Sequence, residues 1–137
     1  MATMTSADGA GGNSSYESDK LDAAFDYIQA NDWPAAVDEL NQQLEEYPDD
    51  ADILNLLGFT HRKQGKYGEA LDYYQRALAI NPKHRGALEY LGELYLETDQ
   101  LPLAEEQLAK LNHLCMFCSE RRDLKKAISK YLDAQSS

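Results

Sequence analysis

An all-α fold, built as a stack of antiparallel helix pairs, is predicted by three observations. The chain matches itself at a shift of 34 residues. Apolar residues within each unit recur at helical spacing. Residues that accept a left-handed backbone recur where each helix must reverse.

The register is read from named positions. Ala36, Ala70 and Ala104 align, as do Leu40, Tyr74 and Leu108. Pro48 matches Pro82, and Leu57-Gly58 matches Leu91-Gly92. Tyr27, His61 and Tyr95 align, then Asn31, Gly65 and Asp99, then Trp33, Tyr67 and Leu101. Three units result: 17–50, 51–84 and 85–118.

The elements follow in chain order. Residues 1–16 are rich in Gly, Ser, Ala and Thr without apolar period and are expected to be a flexible tail. Their glycines are not followed by the Lys-Ser or Lys-Thr of a phosphate loop. The first helix of each unit shows apolar or small residues at i, i+3, i+4 and i+7. Leu54, Leu57, Gly58 and His61 form this stripe in the second unit, and Leu88, Leu91, Gly92 and Tyr95 in the third. Gly and Ala on the stripe let the second helix approach closely. Asn31, Gly65 and Asp99 suit a left-handed C-cap. The second helix repeats a small-then-large pattern, Ala70-x-x-x-Tyr74 and then Ala77. Pro48 and Pro82 stop it, because proline lacks a donor and restricts its predecessor. Residues 119–134 read as one more amphipathic helix, with Leu124, Ala127, Ile128, Tyr131 and Leu132 on its stripe and Ser119 as N-cap. Such a helix closes the open end of a stack. Seven helices in one domain, 17–134, are expected.

These motifs resemble the tetratricopeptide repeat (TPR) family, whose pattern at this period is L-G-x2-Y, A-x3-F and P. The second unit matches with Leu57-Gly58-x2-His61, Ala70-x3-Tyr74 and Pro82. The third matches with Leu91-Gly92-x2-Tyr95 and Ala104-x3-Leu108, and the first with Ala23-Ala24-x2-Tyr27, Ala36-x3-Leu40 and Pro48. No unit has the family's Trp at its fourth position, and Met116 stands where a third proline would fall. The resemblance implies a right-handed superhelical solenoid of three helix pairs plus a capping helix. The end of the chain is similar to that of small bacterial members of the family, several of them exported.

Charge narrows the partners. The net charge is −11, and residues 17–50 carry eleven acids against Lys20 alone, a local −10. A nucleic-acid backbone is a poor partner for such a surface, since binding needs clustered Lys and Arg. The acidic block is either a solvated face or a means of steering a basic partner. No apolar run reaches membrane-spanning length. The first residues lack a basic and an apolar region of the secretory type, so a cytoplasmic location is expected, with export the alternative if a leader precedes the chain. No Ser-His-Asp spacing, H-E-x-x-H or phosphate loop stands out, so no catalytic residues and no cofactor are expected.

Cys115 and Cys118 fall at the corner between the third unit and the capping helix. They can be two small apolar thiols packed under the cap, a disulfide if the turn brings their Cα atoms within ~6 Å, or reactive thiols, with Cys118 favoured by the helix N-terminus that follows. Zinc needs two more ligands. His61 lies on a core stripe, His84 is one repeat away, and His113 falls on another helix face, so no metal is expected. The likeness to the exported bacterial proteins favours the disulfide.

The family resemblance also implies a groove lined by the first helix of each unit. It would comprise Leu21, Phe25 and Ile28, then Asp52, Asn55, Phe59, Arg62 and Lys63, then Glu89, Glu93, Leu96 and Glu97. The clamp with which chaperone-tail-binding members hold two carboxylates would fall on Leu21, Phe25, Leu56, Gly86 and Tyr90, none of which can supply it. A non-enzymatic module is expected, monomeric or weakly oligomeric, binding a protein or peptide with an apolar anchor and a basic residue. The alternatives are a thiol redox or metal-linked role at Cys115 and Cys118, and a self-assembling scaffold. The charged capping helix argues against the latter.

Overall fold

The computed structural model describes residues 19–136. The expected tail, 1–16, lies outside the described residues. Seven α-helices make up the described chain, with no strand among them: α1 (Asp22–Gln29), α2 (Trp33–Glu46), α3 (Ala51–Lys63), α4 (Tyr67–Ile80), α5 (Arg85–Glu97), α6 (Leu101–Leu114) and α7 (Ser119–Ser136). Where the repeat reading places one domain, packing divides the chain into two units at the first repeat junction, between Pro48 and Asp49. Repeats contact mainly themselves and their neighbours, so such a junction is a natural division.

The first unit is the α1–α2 pair. Ala24, Ala36 and Leu40 are fully buried. Asp32 caps α2 by accepting from the Ala35 N–H at 3.2 Å, and Pro34 occupies the first turn, where no donor is needed. Lys20 Nζ stands 3.9 Å from the Tyr47 ring centre.

The second unit holds α3 to α7. Its core joins Ala70, Tyr74, Leu88, Leu91, Leu94, Leu111, Leu124 and Ile128. Asp50 caps α3 through the N–H groups of Asp52 and Ile53, at 2.9 and 3.1 Å. His84 caps α5, its Nδ1 accepting from the Ala87 N–H at 3.0 Å.

The three helix reversals share one geometry. Asn31, Gly65 and Asp99 adopt φ of 58°, 78° and 57°. The N–H after each reaches back to the carbonyl of Tyr27, His61 or Tyr95, at 2.9, 2.9 and 2.7 Å. The left-handed residue's own N–H bonds Ile28, Arg62 or Leu96 at 3.0, 2.9 and 3.2 Å. This double bond is the Schellman arrangement, which satisfies carbonyls that a helix end leaves open. The 34-residue period is therefore a period of backbone hydrogen bonding as well as of side chains.

Small residues set the helix spacing. A Cβ on Gly58 would lie 2.6 Å from Cε1 of Tyr74, whose ring is fully buried. A Cβ on Gly92 would lie 2.7 Å from both Leu124 methyl carbons. In the third repeat, the space over the glycine is thus closed by a side chain of α7.

Two details of the cap differ from expectation. Helix α7 begins at Ser119 itself, with the Cys118 carbonyl accepting from the Arg122 N–H at 3.2 Å, so Cys118 rather than Ser119 occupies the cap position. It also runs to Ser136 rather than to residue 134. Of the readings open for the two cysteines, the structure has the disulfide, not packed or reactive free thiols. The corner brings their Cα atoms to 5.5 Å, inside the span that a disulfide bridges.

Three outcomes follow for stability. Gly58→Ala should lower the denaturant midpoint by about 1–3 kcal/mol equivalent through overpacking against Tyr74. Gly68→Ala, with nothing within 4 Å of its new methyl, should be neutral or gain up to about 1 kcal/mol; parallel urea titrations check the contrast. Replacing both cysteines by serine should cost about 2 kcal/mol in the same assay, the chain-entropy value for so short a loop.

Candidate functional site

The spacing Glu89, Glu93, Glu97 places three carboxylates on one face of α5. On α3, Phe59, Arg62 and Lys63 lie on successive turns of the adjoining surface. Packing of α3 beside α5 brings the two sets together.

Arg62 is the centre of the set. It is 93% buried, yet every face of its guanidinium is answered. Nη1 donates to Glu97 Oε1 at 2.9 Å, Nη2 lies 3.5 Å from Glu93 Oε1, and Nε donates to the Tyr74 hydroxyl at 3.4 Å. Its charge sits 5.5 and 5.7 Å from the ring centres of Phe59 and Tyr90. Burial works to lower its pKa, but Tyr74 and Glu97 more than offset this, so the group is held as a permanent cation. The Phe59 and Tyr90 rings meet at 5.0 Å in a tilted pair. Lys63 is exposed, with Nζ 5.8 Å from the Phe59 ring centre.

Glu89 behaves differently from its neighbours. It is 8% exposed. Burial first, then its hydrogen bond with Glu93 and the charges of Glu93, Asp123 and Glu120, push its pKa up to about 9. The raised pKa favours the neutral, protonated form of Glu89 beside Glu93. The same surroundings, with burial the leading cause, raise the Tyr90 hydroxyl.

Beside this set, His84 Nε2 lies 2.6 Å from Asp52 Oδ1. Because Nδ1 accepts a backbone N–H, the ring proton sits on Nε2 and donates to Asp52. Asn55 is buried nearby, its Oδ1 without a hydrogen-bond partner among the described residues. A Cβ on Gly86 would lie 3.1 Å from Asn55 Nδ2, so Gly86 leaves room for the amide.

A pocket of about 450 Å³ opens next to Arg62. Glu93, Leu96 and Glu97 form one wall, and Ala127, Lys130, Tyr131 and Ala134 of α7 form the other. The Tyr131 hydroxyl donates to Asp99 Oδ1 at 2.9 Å, tying the end of α7 to the α5–α6 turn.

The structure thus gathers Asn55, Phe59, Arg62, Lys63, Glu89, Glu93 and Glu97 in the second unit, but at different depths. Asn55, Arg62 and Glu89 are buried supports, whereas Phe59, Lys63, Glu93 and Glu97 present surface. Leu21 and Phe25 belong to the first unit, Leu21 buried at the start of α1 and Phe25 44% exposed on it. The α7 wall is absent from the sequence-based set. Lys130 and Tyr131 carry no pattern of their own beyond an amphipathic helix. Tyr90 appears there only as a residue that breaks a clamp. Among the described residues, no group of three or more His, Cys, Asp or Glu is placed to hold a metal ion, and no helix is long and apolar enough to cross a membrane.

Residues 51–84 match the family model of the tetratricopeptide repeat. The uncharacterised protein ycf37 of Pyropia yezoensis is 36% identical over 61 residues, 44% of this chain and 34% of that protein. The matched stretch therefore spans about a third of that relative's length. The first TPR of Spaghetti (RPAP3), solved bound to the HSP90 peptide SRMEEVD, superposes with a TM-score of 0.74 at 15% identity, covering 86% of this chain and 91% of that one. The type III secretion chaperone SycD of Yersinia enterocolitica, solved with a peptide of the translocator YopD, gives 0.72 at 20% identity, covering 88% and 92%. At these identities the likeness is one of fold.

The Glu89 environment makes a pH-dependent prediction. Its folded pKa lies above its ordinary value, so the native state binds the extra proton and this contribution to stability is lost as pH rises from about 4.5 through about 9. Glu89→Gln cannot ionise. It should be more stable than the parent at pH 9 by more than about 1 kcal/mol, the worth of a single pKa unit, and the gap should close by pH 4.5. Urea midpoints at the two pH values measure it.

Proposed function

From a chain that carries a tetratricopeptide repeat at 51–84 and has the helical fold of that family, we propose a non-enzymatic interaction module. Its second unit receives a peptide or protein segment on the α3–α5–α7 surface. The observation that supports this most is the pre-organised set around Arg62. Phe59 and Tyr90 offer a rigid aromatic platform, and Glu93 and Glu97 offer carboxylates fixed by a buried cation. A binding surface gains when its side chains are immobilised before the partner arrives.

The partner's chemistry follows from charge. Glu93 and Glu97 dominate one side, and Glu120 and Asp123 act on the same neighbourhood. An acidic peptide such as SRMEEVD would meet repulsion there. A segment with a Lys or Arg, directed at Glu93 and Glu97, and an apolar side chain resting on Phe59 or in the adjoining pocket, suits the surface.

An immobilised array of random-sequence peptides tests this. Wild-type protein should retain peptides enriched in a basic residue near an apolar one. The exposed change Glu97→Lys should shift the retained set away from basic peptides, and Phe59→Ala should weaken retention about tenfold or more, as for loss of an aromatic anchor. Retention unchanged in both variants, with the fold intact by circular dichroism, would move the site off this surface.

A further inference from the structure

The corner between α6 and α7 carries a feature that the groove does not use. The Cys115–Cys118 disulfide closes a four-residue loop whose two inner residues point outward, Met116 at 56% exposure and Phe117 at 93%. Leu114, on the same corner, is 36% exposed. An aromatic ring held almost wholly in water on a covalently closed loop is an unfavourable arrangement for an isolated chain, and a favourable one for an anchor, because the loop has lost its freedom beforehand. The first two turns of α7 follow with Arg121, Arg122, Lys125 and Lys126 against Glu120 and Asp123. Arg122 is 69% exposed, and its nearest carboxylate, Asp123, stands 4.0 Å away. In a chain of net charge −11, this is a locally basic segment next to an apolar tip.

The complementary surface is present in the same sequence. Residues 17–50 carry eleven acids against one base. Within the described first unit, α1 exposes Phe25 at 44%, with Asp22 one turn before it and Asp26 beside it. An apolar ring amid carboxylates is what a Phe117 tip beside a basic helix start would fit.

We propose that the disulfide-closed tip docks on the acidic α1 surface of a second copy of this chain. The contact joins two different patches, so it is heterologous, and successive copies add head to tail rather than closing as a symmetric pair. The charged cap, which opposes stacking of apolar helix faces, is here the source of attraction. Because the two patches carry opposite charge, association weakens as salt screens them. This contact stands independently of the peptide surface around Arg62.

Sedimentation velocity of the full, oxidised chain tests the proposal, from low micromolar to near-millimolar concentration. The weight-average mass should more than double over this range at low salt and fall back towards the monomer in high salt. Phe117→Ser, at a position too exposed to disturb folding, should remain monomeric throughout. So should an acceptor variant, Asp22→Asn/Phe25→Ser/Asp26→Asn, checked for unchanged helicity. An equimolar mixture of the two variants retains one good tip and one good acceptor, and should form a one-to-one dimer that grows no further. A wild-type chain that stays monomeric would overturn the proposal and leave the tip to a different partner. Growth unaffected by Phe117→Ser, arrest at a symmetric dimer, or no dimer in the mixture would each overturn it as well.

Discussion

A guanidinium that is 93% buried must have its charge and its donors answered by the protein, and Arg62 has both. Its Nε hydrogen bond reaches Tyr74, whose ring lies against Gly58, so the cation is tied to the closest approach in the α3–α4 pair. Its two Nη groups reach Glu93 and Glu97 on α5, in the following repeat. One side chain thus links the interior of one repeat to the surface of the next. Removing both carboxylates would be costly, because the buried guanidinium would be left unanswered. The arrangement explains why a repeat interface otherwise built of Leu and Ala tolerates a cation. It also explains why the two α5 carboxylates stand in fixed positions.

Helix α7 has two structural roles. Leu124 fills the space above Gly92, and Ile128 extends the same core, so the third repeat is closed against water. The adjoining edge of the same stripe supplies Ala127 and Tyr131, with Lys130 beside them, to the pocket next to Arg62. Termination of the stack and construction of the binding surface therefore share one element. The disulfide and the Arg121–Asn112 hydrogen bond hold the start of that helix to α6, and Tyr131 holds its far end to Asp99.

Charge is organised by depth. Carboxylates on the outer faces of helices remain in water, where self-repulsion is screened. Glu89 is the exception, since it is buried beside Glu93 and answers its surroundings by keeping a proton. A protonated glutamate next to an ion-paired one lets α5 present a row of carboxylates without placing three full charges together.

The period, the helix pairs and the reversals were legible from the amino-acid order, because they depend on interactions within a few residues. Asn31, Gly65 and Asp99 announce a left-handed turn by their own backbone preferences, and each adopts it. Gly58 and Gly92 announce close approach, and each meets a buried side chain. The depth of Arg62 and Glu89 was not legible. Both fall on the expected groove face, and only the packing of α3 against α5 decides that one is buried as a cation and the other as a neutral acid. Nor was the α7 wall, since Lys130 and Arg62 are distant in sequence and meet only where the cap docks. The thiols of Cys115 and Cys118 could be read in several ways, and the choice waited on a turn that brings their Cα atoms to 5.5 Å. Local conformational preference determined the elements and their repeat. Desolvation, charge pairing and the meeting of distant side chains, which exist only once helices pack, decided the site.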